Sequence, residues 1–236
     1  KKENSSNIDK SCIFLVGLPR SGKTLVESIL SSNQKLFKAG ENTFLPKAIN
    51  EYMNNNDKKN TKSLEEIFVK NFSNIKANMS IICSTTPSNF IYTGFIGKLM
   101  PNSKIIYCYR NILDNIIEIY SSNLKNKYTF KTCLEESTKF AIQLNTQMKI
   151  YQKLFPELIY FLNYDSLAAN PEDEILSLIN WLKWNYNNDY LSPKLDFSTT
   201  GKHGNEEDFI NSNQVGIWKK YQNLLKPAIK IITKDT

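Results

Sequence analysis

The sequence predicts an α/β protein in which a parallel sheet of about four to five strands is flanked by helices on both faces. Three observations carry that expectation. Short apolar runs alternate with stretches of helical spacing, no hairpin turn separates the runs, and the first run ends at the glycine of a phosphate-loop pattern. Alternation without hairpins requires crossovers, and right-handed crossovers place helices on both faces of a parallel sheet. With 236 residues, 41% of them hydrophobic, the chain can build one sizeable core. The expected organisation is a polar linker or tail over residues 1–10 and a single domain over 11–236.

The first strand is Ser11–Val16 (SCIFLV), apolar throughout as in a buried parallel strand. After Gly17, Thr24–Ser32 has helical spacing at Leu25, Ile29 and Leu30. Asn42–Met53 and Ser63–Ile75 read as helices, the second opened by a capping box at Ser63 and Glu66. Between them lies the polar stretch NNNDKKNTK. Ser80–Cys83 is the second strand, followed by a helix over Ser88–Met100. PNSKIIYCYR supplies a turn and a third strand ending at Arg110. Helices follow to about Leu124 and over Phe130–Leu154. ELIYFLNYD is the fourth strand, and Pro171–Trp184 opens with proline and acidic residues, as helix N-termini do. Asn185–Asn213 reads as a long polar loop, and QVGIWKKYQNLLKPAIKII as a closing amphipathic helix.

Composition excludes several classes of function. A net charge of +7 favours a polyanionic ligand, but no basic block with interleaved aromatics, zinc-finger spacing or RNP-like strand points to nucleic acid. No apolar run approaches the ~20 residues of a membrane helix, and residues 1–10 lack an apolar signal core. Cys12, Cys83, Cys108 and Cys133 form no C-x-x-C pair and suit free thiols in a reducing, cytoplasmic setting. A single histidine, His203, leaves no His-based metal site and little room for a Ser-His-Asp enzyme.

FLVGLPRSGKTLVE satisfies G-x-x-x-x-G-K-[ST] from Gly17 through Gly22, Lys23 and Thr24. A strand–loop–helix of this P-loop type converges backbone N–H groups and a helix N-terminus on a phosphate. Arg20 and Lys23 add full charges, and Ser21 and Thr24 add hydroxyl donors. ATP chemistry also needs an acidic Mg²⁺ partner, usually at the end of a neighbouring strand. The second and third strands end in Cys83-Ser84 and Tyr109-Arg110, leaving only Asp165 after the fourth as a candidate.

Four segments resemble, in order, the PAPS-dependent sulfotransferases, especially the tyrosylprotein and bacterial TPR-linked types. They are IFLVGLPRSGKTLVESILSSNQKLFKAGE, TPSNFIYTGFIGKLMPNSKIIYCYRNILDNIIEIY, LNYDSLAANPE and NQVGIWKKY, and the likeness runs from Cys12 to about Leu225. The resemblance implies a P-loop α/β fold and 3′-phosphoadenosine 5′-phosphosulfate (PAPS) as donor, with no metal required. By that likeness Arg20, Ser21, Gly22, Lys23 and Thr24 form the 5′-phosphosulfate loop, and Arg110 holds the 3′-phosphate through paired hydrogen bonds. Tyr164 lies near the adenine, Lys219 stands close to a donor-binding position, and Asp114 is structural. Glu41 matches a proposed general base, a helix cap being its other reading.

The chain departs from the family pattern where Lys23 replaces a threonine, Thr85 the sulfuryl-stabilising lysine, Glu118 a 3′-phosphate-binding serine, and Ile217 an arginine. A carboxylate ~4 Å from a phosphate costs on the order of 4 kcal/mol at an effective dielectric near 20. The implied function is sulfuryl transfer to a hydroxyl or amine acceptor of unknown identity, with Glu41, Lys23 and Arg20 as catalytic residues. Lys23 is the candidate replacement for the missing lysine. The implied partners are the nucleotide donor, that acceptor, and a TPR-type region N-terminal to the chain. Two alternatives stay open: a Mg²⁺-dependent P-loop kinase or NTPase, and a weakened relative acting as a binding module.

Overall fold

The computed structural model describes residues 10–54, 62–72, 75–76, 78–122, 133–192, 210 and 212–234. His203 and most of the polar stretch before Asn213 lie outside the described residues.

Strand β1 (Ser11–Val16) shows how the sheet is buried. Alternate side chains of a strand point to opposite faces. Cys12, Phe14 and Val16 accordingly join one hydrophobic cluster, while Ile13 and Leu15 join another. The strands are all parallel, in the order β2-β3-β1-β4-β5. Here β2 is Leu36–Gly40, β3 Ile81–Ser84, β4 Lys104–Tyr109 and β5 Ile159–Asn163. On the Phe14 side the core is filled from helices α2 (Phe44–Asn54), α3 (Leu64–Lys70), α4 (Thr93–Leu99) and α6 (Leu134–Leu154). On the Leu15 side it is filled from α1 (Lys23–Leu30) and α8 (Pro171–Trp181). A smaller cluster joins Leu113 and Ile116 of α5 (Ile112–Ser121) to Ala228 of α9 (Lys226–Ile232). The short α7 (Tyr164–Ala169) follows β5 directly.

The α/β sheet with helices on both faces is therefore observed. Ser63 and Glu66 form the expected capping box at α3. Several expected boundaries need correction. The edge strand β2 was not anticipated: its sequence LFKAG has no β-branched residue, and pairing with β3 makes it a strand. The helix expected over Ser88–Met100 begins as a 3-10 turn at Pro87–Tyr92 and becomes α-helical only at Thr93. The closing helix is broken. Ile217–Tyr221 is a 3-10 turn after Gly216, whose φ is 75°, and α9 starts anew with Pro227 in its first turn. Proline lacks the N–H that a continuous helix would need there.

This topology positions the site. The chain leaves β1 towards β2 and β3 on one side, then crosses to β4 on the other. In open α/β sheets the crevice at such a reversal, beyond the carboxyl ends of the strands, is where ligands bind.

Candidate active site

The loop from Gly17 to Gly22 fills that crevice, and its backbone is shaped by close contacts. Gly17 (φ 142°) lies so near β4 that an added Cβ would stand 2.2 Å from the Cys108 carbonyl oxygen. Gly22 (φ 96°) packs against Tyr164, whose Cδ2 would be 2.8 Å from such a Cβ. Between them Arg20 takes a left-handed φ of 64°, uncommon for a residue with a side chain. Its carbonyl neighbour is pinned as well: buried Asn115 of α5 donates to Pro19 O at 2.8 Å. The first turn of α1 holds no acidic residue, and Thr24 is exposed at its start.

The two cations of the loop point different ways. Lys23 is buried and turns back on the loop, its Nζ donating to Leu18 O at 2.6 Å and Gly17 O at 3.0 Å. Burial pushes its ammonium down from 10.5 to about 8, and Glu41 opposes the shift through its charge. Arg20 reaches outward and is taken by Glu118 of α5: Nη2 and Nε donate to Oε2 at 3.1 and 3.3 Å.

Beyond the loop, Arg110 follows the end of β4 and is 6% exposed. Its guanidinium carbon stands 4.7 Å from the centroid of the Tyr164 ring, within cation–π range. Its Nη2 donates to Gln214 O at 2.6 Å. Tyr164 thus links the two cationic features, touching Gly22 and lying under Arg110. The segment 212–221 forms a strap beside Arg110. Fully buried Asp114 ties it down, accepting from Gly216 N at 2.7 Å and Trp218 N at 2.8 Å. Among the described residues, Ser21 Oγ, Arg110 Nε and Gln214 Oε1 are buried without a hydrogen-bond partner.

A phosphate loop after β1 and a buried arginine after β4, joined through one tyrosine, can be set beside known proteins. A sequence profile described as "Sulfotransferase family" matches residues 12–188. The chain belongs to the sulfotransferase family. It is 28% identical to an uncharacterised protein of Aquifex aeolicus over 94% of its own length, and spans 32% of that relative. Among solved structures, the sulfotransferase domain of the Synechococcus olefin synthase shares the fold, with a TM-score of 0.61, 14% identity and 94% coverage of both chains. A mouse sulfotransferase complexed with PAP does so with a TM-score of 0.56, 12% identity and coverage of 97% of this chain and 86% of that one.

Within this sulfotransferase-family chain, Arg20, Ser21, Gly22, Lys23, Thr24, Arg110 and Tyr164 come together at one end of the sheet. Glu41 is exposed just past β2, and its charge is felt by Lys23. The capping alternative for Glu41 gives way to Asn42, whose Oδ1 accepts from Phe44 N at 3.1 Å where α2 begins. Lys219 sits on the strap with its side chain exposed. Thr85 is buried, and its N–H donates to Gly40 O at 3.0 Å, fastening β2 to the end of β3. Asp165 spends one carboxylate oxygen on Asn111 N at 2.7 Å, at the start of α5. Among the described residues no group of three or more His, Cys, Asp or Glu could hold a metal, and no helix is long and apolar enough to cross a membrane.

Sequence reasoning missed the roles of Asn115, Gln214 and Glu27. Asn115 and Gln214 act through partners about a hundred positions away, which spacing cannot reveal. Glu27, one turn after Lys23, has a buried Oε1 without a partner; burial raises its carboxyl, and the neighbouring charge of Glu41 raises it further. Its only signal in the sequence was a carboxylate next to the apolar positions Val26 and Ile29–Leu30.

Proposed function

We propose that this chain transfers a sulfuryl group from PAPS to a hydroxyl or amine acceptor. The carrying observation is the set of buried donors without partners, Ser21 Oγ and Arg110 Nε, at the two ends of the Gly22–Tyr164–Arg110 contact. Buried polar groups are ordinarily satisfied, so two orphaned donors beside a phosphate loop suit an anionic ligand with two charged ends. The PAP complex of the mouse structural neighbour supports the same donor class.

In this reading the amides of the loop, with Arg20, Ser21, Gly22, Lys23 and Thr24, hold the phosphosulfate end. Arg110 holds the 3′-phosphate, Tyr164 flanks the adenine, and Lys219 closes over from the strap. The donor supplies an activated sulfuryl group that passes to the acceptor while its 5′-phosphate leaves. Glu41 takes the acceptor proton. Lys23 leaves its two loop carbonyls and places its ammonium by the leaving oxygens, where Thr85 supplies no charge. Losing one such donor typically costs ~10²–10³ in rate. The cytoplasm belongs to this reading, supported by four free thiols. So does a TPR-type region outside the chain, supported by the much greater length of the Aquifex relative.

Calorimetry with 3′-phosphoadenosine 5′-phosphate (PAP) and with ATP, each with and without Mg²⁺, tests the proposal. Binding of PAP independent of metal is expected. Metal-dependent ATP binding without PAP binding would replace it with phosphoryl transfer, and binding of neither would leave a non-catalytic module.

A further inference from the structure

We infer that Glu118 is an internal competitor for the donor: its carboxylate occupies Arg20 in the ligand-free protein and leaves it when an anion enters the loop. The inference rests on the loop being an anion site, as proposed above. Three features of the structure carry it.

Arg20 is the only loop cation reaching outward, since Lys23 is committed to the carbonyls of Gly17 and Leu18. Both Nε and Nη2 of Arg20 converge on a single oxygen of Glu118. That edge of the guanidinium would otherwise present paired donors to a phosphate or sulfate.

Glu118 is also presented by a fixed element. Asn111 caps α5 through the N–H groups of Leu113 and Asp114, Asp114 holds the strap, and Asn115 holds the loop. The Glu118 side chain is 16% exposed, against 34% for Arg20. Such a pair is less screened than two lysine-length chains meeting in water.

Finally, charges of both signs already act on the tyrosine of the cradle without a ligand. Arg20, Arg110, Glu118 and Asp165 all act electrostatically on Tyr164. Two cations and two carboxylates surround the tyrosine that joins the loop to Arg110. A polyanion entering this space meets Glu118 as a like charge and Arg20 as a partner already engaged. Glu118 therefore lowers the affinity of the site for highly charged nucleotides.

The test is titration calorimetry of the wild type, Glu118→Gln, Glu118→Ser, Arg20→Gln and the Arg20→Gln/Glu118→Gln double variant. The probes are inorganic pyrophosphate, which needs the loop alone, and PAP; thermal melting checks folding. Removing the carboxylate should tighten pyrophosphate binding about tenfold, and the gain should vanish when Arg20 is glutamine. Unchanged or weaker pyrophosphate binding in both folded Glu118 variants overturns the inference, since it would make Glu118 a support for Arg20. A gain that survives loss of Arg20 overturns it too. If pyrophosphate shows the gain while PAP binds no form, the inference stands and the PAPS reading falls.

Discussion

Lys23 illustrates how one side chain couples the loop to proton binding. Its folded value of about 8 lies below its ordinary 10.5 because burial penalises the ammonium. The unfolded chain therefore binds more protons between those values, and stability rises with pH across that window. A shift of this size corresponds to about 3 kcal/mol. Urea unfolding should show the wild type gaining stability from pH 8 to pH 10 relative to Lys23→Met, by an amount of that order. Parallel curves for the two proteins would mean the ammonium is not held in the buried position. Above pH 8 the neutral amine also contributes no charge to the loop, so PAP affinity should fall with rising pH in the wild type and not in the variant. Gly22 makes a second residue-scale case. Its φ of 96° and the 2.8 Å approach of the Tyr164 ring both exclude a Cβ. Gly22→Ala should cost about 1–3 kcal/mol in thermal unfolding and weaken PAP binding as Tyr164 is displaced.

At the scale of elements, α5 organises the site although it contributes no ligand in the proposed reading. One face of its first two turns holds the strap through Asp114, the loop through Asn115 and Arg20 through Glu118. The 3-10 turn of the strap has no fully buried residue; Trp218 packs against the Leu113–Ala228 cluster, and the bonds to Asp114 hold the turn's backbone. Asp114→Asn keeps one acceptor oxygen but turns an amide N–H towards a backbone N–H. The expected cost is about 1–3 kcal/mol of unfolding free energy, the price of an unsatisfied buried group. Trypsin should cut at Lys219 or Lys220 faster in the variant than in the wild type, as followed by mass spectrometry of the native digest. Equal cleavage rates would show that the strap is held by something other than Asp114.

For the whole molecule, the proposed donor site draws on the ends of β1 and β4, α7 and the strap, so a bound nucleotide would join segments from both ends of the chain. PAP at a hundredfold excess over its Kd should then stabilise the fold by about 2.7 kcal/mol, read as a rise in Tm with no dependence on Mg²⁺. A domain of this size should move by several degrees. Arg110→Ala should abolish the rise, and a rise that persists in that variant would place the nucleotide elsewhere.

The sheet and the loop were legible in the sequence because they depend on short-range rules. An apolar run ending in glycine, then G-x-x-x-x-G-K-T, specifies strand, turn and helix within fifteen residues, and the ordered segments carried the family. Arg110 and Tyr164 were singled out through the resemblance of those segments, and the structure sets each directly after an apolar strand. What the sequence by itself could not determine was pairing. LFKAG is a strand because β3 offers it hydrogen bonds, and the segment after Gly216 is a strap because Asp114, a hundred positions earlier, accepts from its backbone. Whether Glu118 would face a phosphate or Arg20 was decided when the pairing of β4 with β1 set α5, which follows β4, beside the loop. Charges and hydrogen bonds act over a few ångströms in space, and only the folded chain states which residues those few ångströms contain.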